Sequence, residues 1–182
     1  MIEVRKHQII EDTKKFLEKS FKENPHYSFN NWKIMYEHSL FVLKFSLKIA
    51  ETIECDKLVL SVGALLHDIG KTYKADKEFL RRGHKKIGYL VSKRFLESLE
   101  LTNEQQTKLK EILSDSRDNI EKQIIEDADS IAFFADKRLQ TVFKKWVDKE
   151  GLDLELKRKL DKINKLRFDV SKKIVKPFLP KQ

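Results

Sequence analysis

The stretch Asp56-Lys57-Leu58-Val59-Leu60-Ser61-Val62-Gly63-Ala64-Leu65-Leu66-His67-Asp68-Ile69-Gly70-Lys71 decides how this chain is read. Asp56 has the short polar side chain that caps a helix N-terminus, and the residues after it are apolar in nearly every direction around the helix. A helix without a polar face belongs at the centre of a fold. It ends at His67-Asp68-Ile69-Gly70, which sets an imidazole beside a carboxylate where the apolar run stops. Burying an unpaired carboxylate is costly, so Asp68 needs a cation or a metal as partner. A His-Asp pair alone says little, because a capped helix end accounts for one without any chemistry.

Upstream, Asn31 is a cap for a helix from Trp32 to about Glu51, with a core stripe of Ile34, Phe41, Val42, Phe45 and Ile49. His38 lies inside that stripe. Before it, the spacing of Ile9, Ile10, Phe16, Leu17 and Phe21 predicts an N-terminal helix over residues 3–21, ended by Asn24 and Pro25 and followed by a loop to Asn31. Downstream, a loop from Tyr73 to Gly83 leads to a helix starting near His84, with Ile87, Gly88, Val91 and Phe95 inward. Thr102 and Gln105 form a capping box for a helix over Asn103 to about Ser114. One long helix is expected from Asn119 to Lys149, carrying Asp127-Ala128-Asp129 and stopped by Gly151. A C-terminal helix over residues 153–175 follows, with Leu156, Leu160, Ile163 and Ile174 along one face, and Pro177 and Pro180 end regular structure.

These helices fit one domain over residues 1–182, with a core at about 32–146 and the first and last helices packed on it. Five Gly and three Pro in 182 residues are too few for the turns of an all-β fold, so an all-α bundle is expected. The single Cys55 excludes an intramolecular disulfide and any thiolate-rich zinc cage; a metal here must use His and carboxylate ligands. Charges run through Met1–Ile10 and no stretch nears a membrane span, so a cytoplasmic protein is expected. The net charge of +9 favours anionic partners, although mixed-sign charge over 37% of the residues also describes ordinary solvated helix surface.

His38, His67-Asp68 and an Asp of the 127–129 stretch are inward polar groups on three apolar helices. One divalent ion between facing helices satisfies all of them. Periodicity does not choose between Asp127 and Asp129. Residues two apart point about 160° from each other, and both have apolar neighbours at helical spacing: Ile120, Ile124, Ile131 and Phe134 for one, Ile125, Ala132 and Phe133 for the other.

The order His38, His67-Asp68, then an Asp in Ala128-Asp129-Ser130-Ile131, with Ala-Leu-Leu-His-Asp-Ile-Gly-Lys around the dipeptide, resembles the HD domain superfamily. The resemblance covers roughly Trp32 to Trp146. It implies an HD-type helical bundle that hydrolyses phosphate esters, commonly of nucleotides, and it selects Asp129 as fourth ligand of a metal held by His38, His67 and Asp68. In two-metal members further histidines stand at the positions of His84 and Asp115; here the second is a carboxylate, and one ion per chain is expected. Mixed nitrogen and oxygen ligation suits Mn, Fe, Co, Ni or Zn better than Ca, with Mg admissible. Asp68, Lys71 and His84 are the candidate catalytic groups, and Lys71, Arg81, Arg82 and His84 the candidate phosphate contacts. The partner expected is a phosphorylated small molecule. The alternative is a non-catalytic HD-like module that binds nucleic acid or protein through its basic surface.

Overall fold

The computed structural model describes residues 2–24, 31–146 and 149–179, apart from the side chains of residues 2, 77, 78, 81, 82, 146 and 149–155. Every regular element among the described residues is helical.

The central helix, α3 (Lys57–Leu66), is buried at each position from Leu58 to Leu66. Each Leu or Val enclosed there contributes roughly 1.5–3 kcal/mol relative to an exposed side chain. Asp56 caps α3 by accepting from the Leu58 and Val59 N–H groups. Its own N–H donates to Glu121 Oε1 at 2.9 Å, and its Oδ2 accepts from Gln105 Nε2 at 2.9 Å. This cap therefore also joins α3 to α5 (Asn103–Leu113), which starts with the Thr102–Gln105 capping box, and to α6 (Ile120–Ala135). Around this axis pack α1 (Ile2–Glu23) and α2 (Trp32–Ile49), and α2 also runs along α6. Asn31 caps α2 through the Lys33 N–H. Of the loop expected between Asn24 and Asn31, residues 25–30 lie outside the described residues.

After α3 the chain tightens into a 3₁₀ turn, Ile69–Thr72. It then enters α4, which spans Lys77–Ser98 and does not begin near His84. The Asp76 side chain accepts from the Phe79 N–H and caps the helix there. Gly83 is carried inside it at the modest cost of about 1 kcal/mol relative to Ala. The expected loop from Tyr73 to Gly83 thus shrinks to Tyr73–Asp76. Two glycines set how closely α4 lies against its neighbours. A Cβ on Gly70 would stand 1.9 Å from the His84 carbonyl oxygen, and one on Gly88 2.8 Å from that of Leu113.

The long helix expected from Asn119 to Lys149 is broken. Asp136 leaves the helical region at φ −91°, ψ 93° and ends α6. Its carboxylate accepts from the Arg138 and Leu139 N–H groups, which starts α7 (Lys137–Trp146). An Asp at such a junction does both jobs, because its side chain satisfies the N–H groups that a new helix start leaves open. Gly151 is likewise no stop, since it falls within α8 (Lys149–Asn164). The C-terminal helix expected over residues 153–175 is instead α8 followed by α9 (Asp169–Val175), with a turn between them, and both pack on α6.

Candidate metal centre

Four helices and the turn after α3 converge on one cluster. His38 comes from the middle of α2, 4% exposed, and His67 is the C-cap residue that follows α3. Asp68 follows it at 4% exposure, and Asp129 comes from α6. His38 Nε2 lies 3.1 Å from Asp129 Oδ1 and 4.0 Å from Asp68 Oδ2, while His67 Nε2 lies 3.4 Å from Asp68 Oδ2 and 3.9 Å from Asp129 Oδ1.

Two atoms sharing an ion at about 2.1 Å stand about 3.0 Å apart at right angles and about 4.2 Å apart when opposite. All four separations fall in that interval, and His38, His67 and Asp129 offer ligand atoms that all lie within 4.8 Å of one another, so these three fit a divalent cation, while Asp68 stands beside them without joining that mutual set. The orientation of His67 fits as well. A carbonyl can only accept, so the 2.8 Å contact between His67 Nδ1 and Ala64 O is an N–H donated to a carbonyl at the helix end. In the neutral ring this turns the Nε2 lone pair toward the carboxylates, where that atom is buried with no hydrogen-bond partner among the described residues. His38 lacks such a brace: its Nδ1 is buried and without a partner among those residues.

Two of the remaining expected residues sit around Asp68. Lys71, in the 3₁₀ turn, brings Nζ to 2.5 Å from Asp68 Oδ2, and His84 brings Nε2 to 3.0 Å from Oδ1. His84 Nδ1 donates to Leu80 O at 2.5 Å, which fixes its ring. Arg81 and Arg82 fall within α4 and not in a loop, and their side chains lie outside the described residues. Asp115 takes a left-handed backbone, φ 54°, and pairs with Lys122 at 2.7 Å. It shares with His67 and Asp129 a narrow cleft also lined by Lys85, Lys122 and Glu126.

Burial raises the cost of charge here, and the cluster answers with neighbours of opposite sign. Burial works against ionisation of Asp68, but Lys71 and then His67 outweigh it and hold the carboxyl well below the usual range. Asp129 is likewise held well below the usual range against burial, first by Lys159 and then by His38. Burial pushes the His38 imidazole down despite Asp129. For His67 the charge of Asp68 overcomes burial and raises it.

The tie between Asp127 and Asp129 is broken by what each faces. Asp127, 2% exposed, turns away from the histidines and accepts from the Arg167 N–H at 3.1 Å and the Phe168 N–H at 3.2 Å. It thereby holds the turn between α8 and α9, which is why the C-terminal helix is interrupted there. Sequence reasoning also missed Lys159. Its ammonium lies 4.5 Å above the ring of Phe133, one α6 turn beyond Asp129. In an α8 crowded with Lys157, Arg158 and Lys162, no local signal marks it.

An all-helical protein with two imidazoles and two carboxylates gathered between its helices belongs to the class that can build a hard-metal site in a bundle core. Residues 35–133, just over half of the 182, match the family model for the HD domain, and the chain belongs to that family, a superfamily of metal-dependent phosphohydrolases. No curated protein and no solved structure matches it significantly. Among the described residues, no helix is long and apolar enough to cross a membrane.

Proposed function

We propose that the protein hydrolyses phosphate esters of small molecules, nucleotides foremost, with one divalent ion held by His38, His67, Asp68 and Asp129. The observation that carries this reading is the set of four ligand-atom separations between 3.1 and 4.0 Å, joined to a His67 braced for Nε2 ligation. Nitrogen and oxygen donors together favour Mn, Fe, Co, Ni or Zn, with Mg admissible. When bound, such an ion lowers the pKa of a water and offsets charge on the phosphoryl oxygens.

The chain's own groups then position and neutralise. Asp68 has one oxygen turned to the histidine pair and the other to His84, so it orients the attacking water and accepts its proton. His84, its ring fixed by Leu80, holds that second oxygen in place and is a candidate phosphate contact. Lys71 shifts from Asp68 toward the phosphoryl oxygens once the carboxylate is engaged elsewhere. Arg81 and Arg82 are the outer candidates for phosphate contact.

The test is metal analysis of the protein as purified, with turnover of a generic phosphomonoester in added Mn, Co or Ni. His67→Ala and Asp68→Ala are expected to lose both metal and turnover while circular dichroism keeps its helical signal, because the core is large enough to fold without an ion. Unchanged turnover in either variant defeats the proposal. Salt-sensitive nucleic-acid binding with no turnover in any metal would favour the binding module instead.

A further inference from the structure

The net charge of +9 is not spread along the chain. Residues 1–136 hold 23 Lys and Arg against 23 Asp and Glu, whereas residues 137–182 hold 15 against 6. The whole excess therefore lies beyond residue 133, where the match to the HD domain ends. It is densest over residues 156–176, where nine cations stand against two acids. A one-sided charge distribution of this kind points to an anionic partner.

The placement of the charges separates a docking surface from ordinary solvated helix. On α1 the lysines sit one turn from acids: Lys14 pairs with Glu11 at 2.6 Å, Lys15 with Asp12 at 3.3 Å and Lys22 with Glu18 at 2.7 Å. Opposite charges three or four residues apart support a helix. On α8 and α9 the same spacings bring like charges together, with Arg158, Lys162 and Lys165 along one and Lys172 and Lys176 along the other. Like charges so placed destabilise a helix, so keeping α8 and α9 folded does not explain the pattern. Lys162, Lys165, Lys173 and Lys176 are exposed, and among the described residues none of these four has an ion-pair partner.

The inner sides of the same helices are used by the fold. Ile163, Leu166 and Val175 are buried, and Asp127 accepts from the Arg167 and Phe168 N–H groups, so α8, the turn and α9 are fixed on α6 with these lysines outward. An anionic membrane also attracts lysines, but a helix that lies in it needs an apolar face to insert. Here that face is in the core, and among the described residues of α8, α9 and the turn after it the large apolar side chains left exposed are Leu160 and Phe178. A protein partner would be met by an apolar centre depleted of charge. A dense row of anions that asks for no apolar contact is the phosphate backbone of a nucleic acid.

We propose that the outer side of α8 and α9 is a docking surface for the phosphate backbone of nucleic acid. It is distinct from the metal cluster and does not depend on turnover there.

Fluorescence anisotropy on the full chain in EDTA tests this and leaves the metal-dependent reading out of the measurement. The probes are a fluorescein-labelled oligouridine and a mixed-sequence DNA duplex, each about twenty nucleotides or base pairs long and titrated between about 50 and 200 mM KCl; they distinguish a single strand from a duplex as the source of the phosphates. Wild type is expected to bind at least one of them, about tenfold or more weakly at the higher salt. The double variants Lys162→Gln with Lys165→Gln and Lys173→Gln with Lys176→Gln, shown folded by circular dichroism, should each weaken that binding tenfold or more. Each pair should also lower the log–log salt slope by roughly 1.4 on the single strand or 1.8 on the duplex, since every phosphate contact contributes about 0.7 or 0.9. Lys93→Gln with Arg94→Gln removes the same charge from exposed positions on α4 and should stay within about twofold of wild type. No binding of either probe at the lowest salt overturns the proposal. So does an equal loss in the α4 control, which would make the effect one of net charge and not of a surface. Co-sedimentation with phosphatidylserine vesicles, without binding to either nucleic acid, overturns it in favour of a membrane.

Discussion

Gly70→Ala probes the contact on which the geometry around Asp68 depends. The 3₁₀ turn that carries Asp68 and Lys71 touches α4 backbone to backbone. A Cβ at Gly70 would meet the His84 carbonyl oxygen at 1.9 Å and its carbon at 2.8 Å, with ordinary contact beginning at 3.4 Å. No side-chain rotation relieves a clash with a carbonyl, so turn and helix must part by roughly 1.5 Å. The same carbonyl belongs to His84, whose Nε2 stands 3.0 Å from Asp68 Oδ1, so the added methyl breaks that contact as it separates the elements. Overpacking of this kind costs about 1–3 kcal/mol or more. Displacing a group by about 1 Å from its working position can cost about a hundredfold in rate. Urea unfolding followed by circular dichroism in EDTA reads the first effect, and turnover of a phosphomonoester in saturating metal reads the second. Gly63→Ala is the control, because its Cβ meets only the flexible ends of Ile125 and Ile112, at 3.0 and 3.4 Å. If Gly70→Ala unfolds at the wild-type urea concentration and turns over at the wild-type rate, α4 does not lie on the turn as described, and the role given to His84 goes with it.

Asp129→Asn should weaken metal affinity at least tenfold by calorimetry. Asp127→Asn should leave it nearly intact and cost about 1–3 kcal/mol of stability from hydrogen bonds lost to the Arg167 and Phe168 N–H groups; the opposite order of metal affinities refutes the assignment of the α6 faces. In metal-free protein, Lys159 loses its proton near pH 8 when folded, because burial outweighs Asp129, and near 10.5 when unfolded. The unfolded chain therefore binds more protons between those values, and wild-type stability rises with pH across them. Lys159→Met removes that rise, so it should be more stable than wild type by about 1–2 kcal/mol near pH 7.5, an amount discounted for partial exposure, with the difference down to roughly a quarter near pH 10 and gone above 10.5. A stability difference that stays constant from pH 7.5 to 10 in urea titrations contradicts this.

Much of the framework is visible without coordinates, because the interactions that define it are short in sequence. Asn31, Asp56 and Thr102 with Gln105 cap the helices expected of them, since a cap is made within three residues of itself. The enclosure of α3 follows from a run with no polar face, and the meeting of His67 with Asp68 at its end follows from chain order. Signals of the same kind were also present and outweighed. Asp136 and Asp76 start helices, but the apolar periodicity running past Asp136 and the glycine at 83 suggested other boundaries. What tertiary structure alone decided concerns faces and distant partners. Asp127 and Asp129 stand on two apolar sides of one helix, and only the packing of α2 and α3 against one side and the α8–α9 turn against the other separates the residue beside the histidines from the one that anchors the chain's end. Lys159 is one of several lysines on α8 until that helix is laid along α6, where Phe133 and Asp129 give it a place. A residue's local sequence sets its conformation, but the charge and burial it meets come from segments tens of residues away, whose register the local pattern does not encode.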